Sequence, residues 1–357
     1  MSGALFLTGG TGFLGMELLA RMLDAGDGPD VYVAVRATDP VAAQTRIAET
    51  IGRLYETPPE SIARLRAVCA DLTTPGLGLS APARRSLVAD VDRVIHCAAS
   101  ISFTLPLEEA REINVTGTER VLDLARELPR LERLVHVSTA YVAGRAPVFF
   151  SEDDVGGGDF RNTYEQTKLE AEVAVTAAGD LPTAIVRPSI VVGESDSGWT
   201  SAFNVLYWPL QAFARGLLET VPADPDGIVD MVPVDHVAEV IERVAFADQA
   251  DGRYHAVANG RAVRVAELVE AVCDQLDRPQ PELSEPGTLP AGHPAGVFAP
   301  YFDVKTHFDD ERARALAGQA PEPLSYLPQL LRYGLQARWG KRPLTRERAR
   351  SSAHSRA

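Results

Sequence analysis

Thr8-Gly9-Gly10-Thr11-Gly12-Phe13-Leu14-Gly15 follows a short apolar run at residues 4–8 and opens an apolar-periodic stretch at 13–25. Its glycines at 9, 12 and 15 fall as G-x-x-G-x-x-G at a strand–turn–helix junction. Glycine permits a tight turn and close approach of the backbone to a ligand. A helix that begins there offers free N–H groups and the positive end of its dipole to a pyrophosphate. The spacing differs from G-x-G-x-x-G, but its position after the first strand is where a dinucleotide fold needs it. Gly9, Thr11, Gly12, Phe13, Leu14 and Gly15 are therefore expected to bind a dinucleotide.

The alternation continues downstream. Apolar runs at 31–35, 66–70, 93–98, 133–138 and 183–192 read as buried strands, and stretches at 40–55, 81–89, 107–128 and 162–178 read as helices. Alternating strands and helices imply an α/β fold, a Rossmann-type doubly wound parallel sheet. The periodicity changes after about residue 193. Residues 199–218 are aromatic and apolar and read as a helix lining a pocket, with further helices at 234–246 and 265–276. The expected organisation is a Rossmann domain over 1–193, a smaller C-terminal lobe over 194–339 that mainly binds substrate, and a basic tail over 340–357. A strand and helix near 228–246 are expected to pack back on the first domain.

Composition bounds the function. The chain has 357 residues, a formal net charge of −14, 45% apolar and 24% charged residues, which excludes a disordered chain, a collagen-like fibre and a disulfide scaffold. The acidic excess argues against nucleic-acid binding through a broad basic surface. Cys69, Cys97 and Cys273 have no metal or redox spacing, so no metal site is expected, and so sparse a set fits a reducing cytoplasm. The first residues carry no basic or apolar leader, and no apolar run approaches the roughly 18–20 residues of a membrane span. A cytoplasmic protein is expected, with peripheral membrane contact left open. The tail holds Lys341, Arg342, Arg346, Arg348, Arg350 and Arg356 against Glu347 alone. It reads as a solvated, flexible end; the alternative is an electrostatic contact with an acidic partner or a membrane.

The cofactor can be read more closely. A dinucleotide enzyme that takes NAD carries an acid at the end of the second strand, for the ribose 2′-hydroxyl. Here that strand ends in Arg36, and Asp39 comes three residues later. Arginine suits a 2′-phosphate through charge-assisted bonds, and Arg46 is placed as a second clamp. NADPH is the expected cofactor. Asp71-Leu72 closes the third strand at the adenine edge, and Ala98-Ala99 supply small side chains where backbone passes the cofactor. His96 and Cys97 beside them read as packing residues.

Ser138-Thr139 ends the fifth strand, and Tyr164-Glu165-Gln166-Thr167-Lys168 starts a helix, with Tyr164 and Lys168 on one face. Free tyrosine ionises near pH 10, and a neighbouring ammonium favours tyrosinate. The same ammonium can bond the nicotinamide ribose, and a hydroxyl from Thr139 or Ser138 can bond a carbonyl oxygen. Only three lysines occur, and Lys168 is the sole one before residue 305.

These residues carry a family resemblance. Residues 3–245 resemble an extended short-chain dehydrogenase/reductase, and within it the branch of fatty acyl-CoA reductases and thioester reductase domains. The matching stretches are 7–15, 31–36, Val94-Ile95-His96-Cys97-Ala98-Ala99, Asn114-Val115-Thr116-Gly117-Thr118, His136-Val137-Ser138-Thr139-Ala140, 164–168, 185–190 and 232–238. The resemblance implies that Thr139 works with Tyr164 and Lys168. It also places Pro188, Ser189 and Ile190 near the nicotinamide. Ala143 stands where many sugar-nucleotide members carry tyrosine, which tilts away from epimerases.

The implied activity is NADPH-dependent reduction of an acyl thioester to an aldehyde, with a second reduction to the alcohol left open. The thioester is expected to arrive from a separate molecule, coenzyme A or an acyl carrier protein. Phe203, Tyr207, Trp208 and Phe213 are candidates for an acyl channel, although such aromatics are more often core. The alternatives are a sugar-nucleotide epimerase or dehydratase, a hydroxysteroid-type dehydrogenase, and a non-catalytic NADP-binding regulator.

Overall fold

A computed structural model describes residues 3–145, 148–203, 206–217, 219–258, 260–285 and 298–355. Leu218 of the apolar stretch and Arg356 of the tail lie outside them. The central sheet has seven parallel strands: β1 Ala4–Thr8, β2 Asp30–Val35, β3 Leu65–Cys69, β4 Val91–His96, β5 Arg133–Val137, β6 Thr183–Pro188 and β7 Gly252–Ala256. Their order is β3-β2-β1-β4-β5-β6-β7, so the direction of winding reverses beside β1. A ligand crevice is expected at that reversal, outside the carboxyl ends of the strands. Thr8 pairs with Ala34 on one side and His96 on the other, which brings the segments after β1, β2 and β4 to one edge.

Capping chemistry sets several helix starts. The helices of the first half are α1 Phe13–Asp24, α2 Pro40–Leu54, α3 Ala81–Asp90, α4 Leu107–Arg111, α5 Gly117–Arg126 and α6 Thr163–Ala177. Asp39 caps α2 ahead of Pro40, and Asn162 caps α6 by accepting from the Glu165 amide at 3.0 Å. The later helices are α7 Tyr207–Ala214, α8 Val234–Phe246, α9 Val265–Leu276, α10 Glu311–Ala317, α11 Pro323–Gln336 and α12 Arg346–His354.

Both faces of the sheet are covered. Leu18, Leu19, Ile47, Val237 and Ile241 from α1, α2 and α8 fill one side, and Leu122, Val175 and Ile185 with Phe6 fill the other. Each such aliphatic side chain contributes roughly 1.5–3 kcal/mol by leaving water. A separate cluster, with Tyr207, Leu210, Leu268, Val272, Tyr326 and Leu330, is the core of the later lobe.

Four expectations are corrected. The run 183–192 is two strands: Ser189 breaks it, and Ile190–Val192 leaves the main sheet to pair with Met231–Pro233. The 107–128 helix contains a π turn at Glu112–Thr116. Among the described residues of the 199–218 stretch only Tyr207–Ala214 is helical. The tail is a docked helix. Its Arg346 is 4% exposed and bonds Glu17 of α1 at 2.6 Å and Glu194 at 2.6 Å, so internal carboxylates hold it in place. The strand β7 and helix α10 were not foreseen; both return to the main sheet from within 194–339.

Candidate active site

The nucleotide end is built from backbone. Gly9 has φ +77°, and a Cβ there would stand 2.7 Å from the Ala98 nitrogen, so only glycine lets β1 turn beside the strand end of β4. The Gly12 amide donates to the Gly9 carbonyl at 2.9 Å and opens α1. A Cβ on Gly12 would meet only the Gly9 carbonyl oxygen, at 3.3 Å, so the space before the helix start is open. That is a cradle for a pyrophosphate. The Arg36 side chain makes no hydrogen bond or ion pair among the described residues, while Arg46 donates to the Arg36 carbonyl at 2.9 Å. The nearby acid is engaged elsewhere: Asp39 accepts from the Ala42 amide at 2.9 Å. Asp71 accepts from the Thr73 amide and hydroxyl, and these bonds hold its carboxyl below the usual range.

The reaction end is buried. Thr139 follows β5, and its hydroxyl donates to the Pro188 carbonyl at 3.4 Å and accepts from the Tyr141 amide at 3.3 Å, beside the Tyr164 phenol. Lys168 is 2% exposed and donates to the Val137 carbonyl at 2.6 Å, with His136 Nε2 at 3.2 Å. Burial brings the Lys168 ammonium down to about 8 and holds His136 neutral. Burial also raises the Tyr164 phenol well above its ordinary value; Thr139 opposes the rise, and Cys97 and Glu165 add to it. This corrects the expectation that Lys168 would make a tyrosinate. The lysine bonds a carbonyl and a histidine, with no hydrogen bond to the phenol, so desolvation of the phenol dominates.

The packing readings hold for His96, which lies between the Thr8 and Thr118 hydroxyls at 2.8 and 3.0 Å and is pushed down to about 3 by burial. Cys97 faces the cleft, but burial raises its thiol to about 11, far from a reactive thiolate. The Ser138 hydroxyl is buried without a partner.

The nucleotide end and the reaction end open into one cleft of about 970 Å³. Gly9, Thr11, Gly12, Phe13, Leu14, Gly15, Arg36, Arg46, Asp71, Leu72, Ala98 and Ala99 line one end, and Thr139, Tyr164, Lys168, Pro188, Ser189 and Ile190 line the other. The acyl-channel candidates separate: Phe203 lines the cleft, whereas Tyr207 and Phe213 are core of the later lobe, and Trp208 is not in the wall. Phe203 precedes α7, so the helical phase that turns Tyr207 and Phe213 into the lobe core does not set its direction.

Sequence reasoning missed the rest of the wall. Phe103 stacks on Tyr301 at 5.2 Å and faces Tyr164 at 5.9 Å, and Tyr141 meets Tyr301 edge-on at 5.0 Å. Asn114, in the π turn, accepts from the Ser100 amide at 2.7 Å and donates to Thr167 at 3.0 Å, tying the loop after β4 to α6. A helical pattern gives no sign of a π turn; the Asn114 stretch itself was the available signal.

Comparison with known proteins gives the family and the fold. The family model described as Male sterility protein matches residues 7–241. The chain is 34% identical over 276 residues to fatty acyl-CoA reductase 1 of Gallus gallus, covering 67% of this chain and 54% of that protein. It thus spans about half the length of the curated relatives it matches. The terminal R domain from the myxalamid PKS-NRPS biosynthetic pathway superposes with a TM-score of 0.81 at 26% identity, covering 96% of this chain and 92% of that one. A thiolation-reductase di-domain from an archaeal non-ribosomal peptide synthetase shares the fold, with a TM-score of 0.76 at 19% identity over 95% of this chain and 76% of that one.

Proposed function

We propose, from the premise that this chain belongs to the male sterility protein family of extended short-chain dehydrogenases/reductases, that it is an NADPH-dependent reductase of acyl thioesters. One observation carries the reading. The nucleotide cradle and the Thr139–Tyr164–Lys168 group share a cleft whose far wall is aromatic rather than charged. That wall suits an acyl group and not a nucleotide sugar. NADPH over NADH rests on the unpaired Arg36 guanidinium and on Asp39, which serves as a helix cap and not as a ribose acceptor.

The open face before α1 fits a dinucleotide, which the Gly9–Gly15 turn, Arg36, Arg46 and Lys168 would hold. NADPH supplies hydride to the thioester carbon. The Thr139 and Tyr164 hydroxyls donate to the carbonyl oxygen as it gains charge, a contribution of about 3–4 kcal/mol per donor in comparable sites. Tyr164, kept protonated by burial, is a proton donor in the reducing direction. Collapse of the tetrahedral adduct breaks the C–S bond, leaves an aldehyde, and gives the proton to the departing thiolate. A second round on the aldehyde would give the alcohol with the same donors. The thioester comes on coenzyme A or on an acyl carrier protein, and residues 194–339 shape its acyl site. No helix among the described residues is long and apolar enough to cross a membrane.

The test is NADPH consumption with acyl-CoA of several chain lengths and with the same acyl groups on a carrier protein. Consumption with aldehyde formation is expected. Its absence with every thioester would sink the proposal.

A further inference from the structure

Among the described residues lining the cleft, only Phe203, Phe298 and Tyr301 come from beyond residue 194. Of these, Tyr301 reaches the helix that carries Tyr164. Its hydroxyl accepts from Asn162 Nδ2 at 2.9 Å and donates to Glu165 Oε1 at 2.8 Å. Those two partners flank the catalytic tyrosine in sequence. Glu165 is closed on its other side: its Oε2 accepts from the Arg161 amide at 2.9 Å, and Arg161 also donates to the Gly144 carbonyl at 3.0 Å, just beyond Thr139.

We propose that Tyr301 and Glu165 form a clasp that positions Tyr164 as proton donor once the later lobe is seated on the cleft. The inference rests on the reading of Tyr164 given above.

Three features argue for more than wall packing. A phenylalanine at 301 would still stack on Phe103, so the hydroxyl is not needed for the wall. Glu165 is fully buried beside the reaction site, and burial raises its carboxyl, so the residue is retained at an electrostatic cost that its donors must offset. The charged and titratable groups around it are Arg161, Tyr301, Tyr141 and Tyr164; Arg161 alone brings positive charge, and the Tyr301 hydroxyl is the second side-chain donor. The clasp also closes through aromatic contact, because Phe103 stands against both Tyr164 and Tyr301. Movement of the 298–302 segment therefore acts on the first turn of α6 from two sides.

The test is Tyr301→Phe in the full chain. With the clasp, kcat for an acyl-CoA falls about tenfold, as expected for losing a bond to a charged group. KM for the thioester and affinity for NADPH stay within about twofold, since neither ligand loses a contact. The solvent deuterium isotope effect on kcat rises, because proton delivery becomes slower. Unchanged kcat and isotope effect in folded Tyr301→Phe overturn the clasp. So does a loss of activity that only follows the folded fraction. If Tyr301→Phe does not fold, Glu165→Gln keeps the acceptor oxygen without the charge; a raised isotope effect supports the clasp and an unchanged one overturns it. A wild-type chain that reduces no thioester would refute the functional reading instead. The clasp is then read from amide exchange at residues 161–166, about tenfold faster in Tyr301→Phe if it exists and unchanged if it does not.

Discussion

At the nucleotide end of the cleft the backbone makes the site: the Gly9 turn, the open start of α1 and one unpaired guanidinium on a strand end. At the reaction end side chains make it, from four separated parts of the chain, with Lys168, Glu165 and Tyr301 held there by hydrogen bonds. The first construction needs only a strand, a turn and a helix in succession. The second needs β5, α6, the loop after β4 and the 298–302 segment to arrive together. One end can bind while the other fails, and the two are separable by mutation.

The largest effect is expected from Tyr164→Phe. Loss of a positioned acid lowers kcat by about 10²–10⁴-fold, with NADPH affinity retained. A parallel loss of NADPH binding would break the separation. Next is Arg346→Met. It leaves the buried Glu17 carboxylate without its close guanidinium and Glu194 with Arg350 alone, and the cost is about 3–5 kcal/mol, read from denaturant unfolding. Because α12 clamps α1, affinity for NADPH should fall with it.

Arg36→Glu removes a charge-assisted bond to a phosphate, so kcat/KM for NADPH falls by roughly 10–100-fold while that for NADH changes little. Equal losses with both cofactors would refute the 2′-phosphate assignment. Smaller still is the pH effect. Burial lowers the Lys168 ammonium to about 8, so the charged form is lost as pH rises through that value. Activity then falls about tenfold per unit at higher pH, measured as kcat/KM against pH. Tyr164, raised by the same burial, stays protonated across that range. Least of all, Phe213→Leu trims lobe core and should leave acyl-chain preference unchanged, whereas Phe103→Leu should shift it.

The same contrast explains what the sequence discloses. The strands before 138, the Gly9–Gly15 turn, Arg36 and the Tyr164/Lys168 pair follow from local pattern, and the fold places all of them on one cleft. The partners that complete the reaction end are not local. Tyr301 meets Glu165 across a separation of 136 residues, and Arg346 meets Glu17 across 329. Composition marks the tail as basic but cannot say that Arg346 faces inward, because that depends on where two distant carboxylates are buried. Ser189 is similar: the apolar residues on either side of Arg187-Pro188-Ser189 hide a change of strand partner that the arrival of Met231–Pro233 creates. Desolvation of Tyr164 likewise depends on the closed wall and not on its spacing from Lys168.

The most direct test of the central claim is label transfer. The chain is incubated with an acyl thioester and NADPH carrying deuterium at the transferred position, and the aldehyde is trapped and weighed by mass spectrometry. The account predicts one deuterium at the former carbonyl carbon and a free thiol in equal amount. NADPH bound without label transfer to any acyl thioester would contradict it.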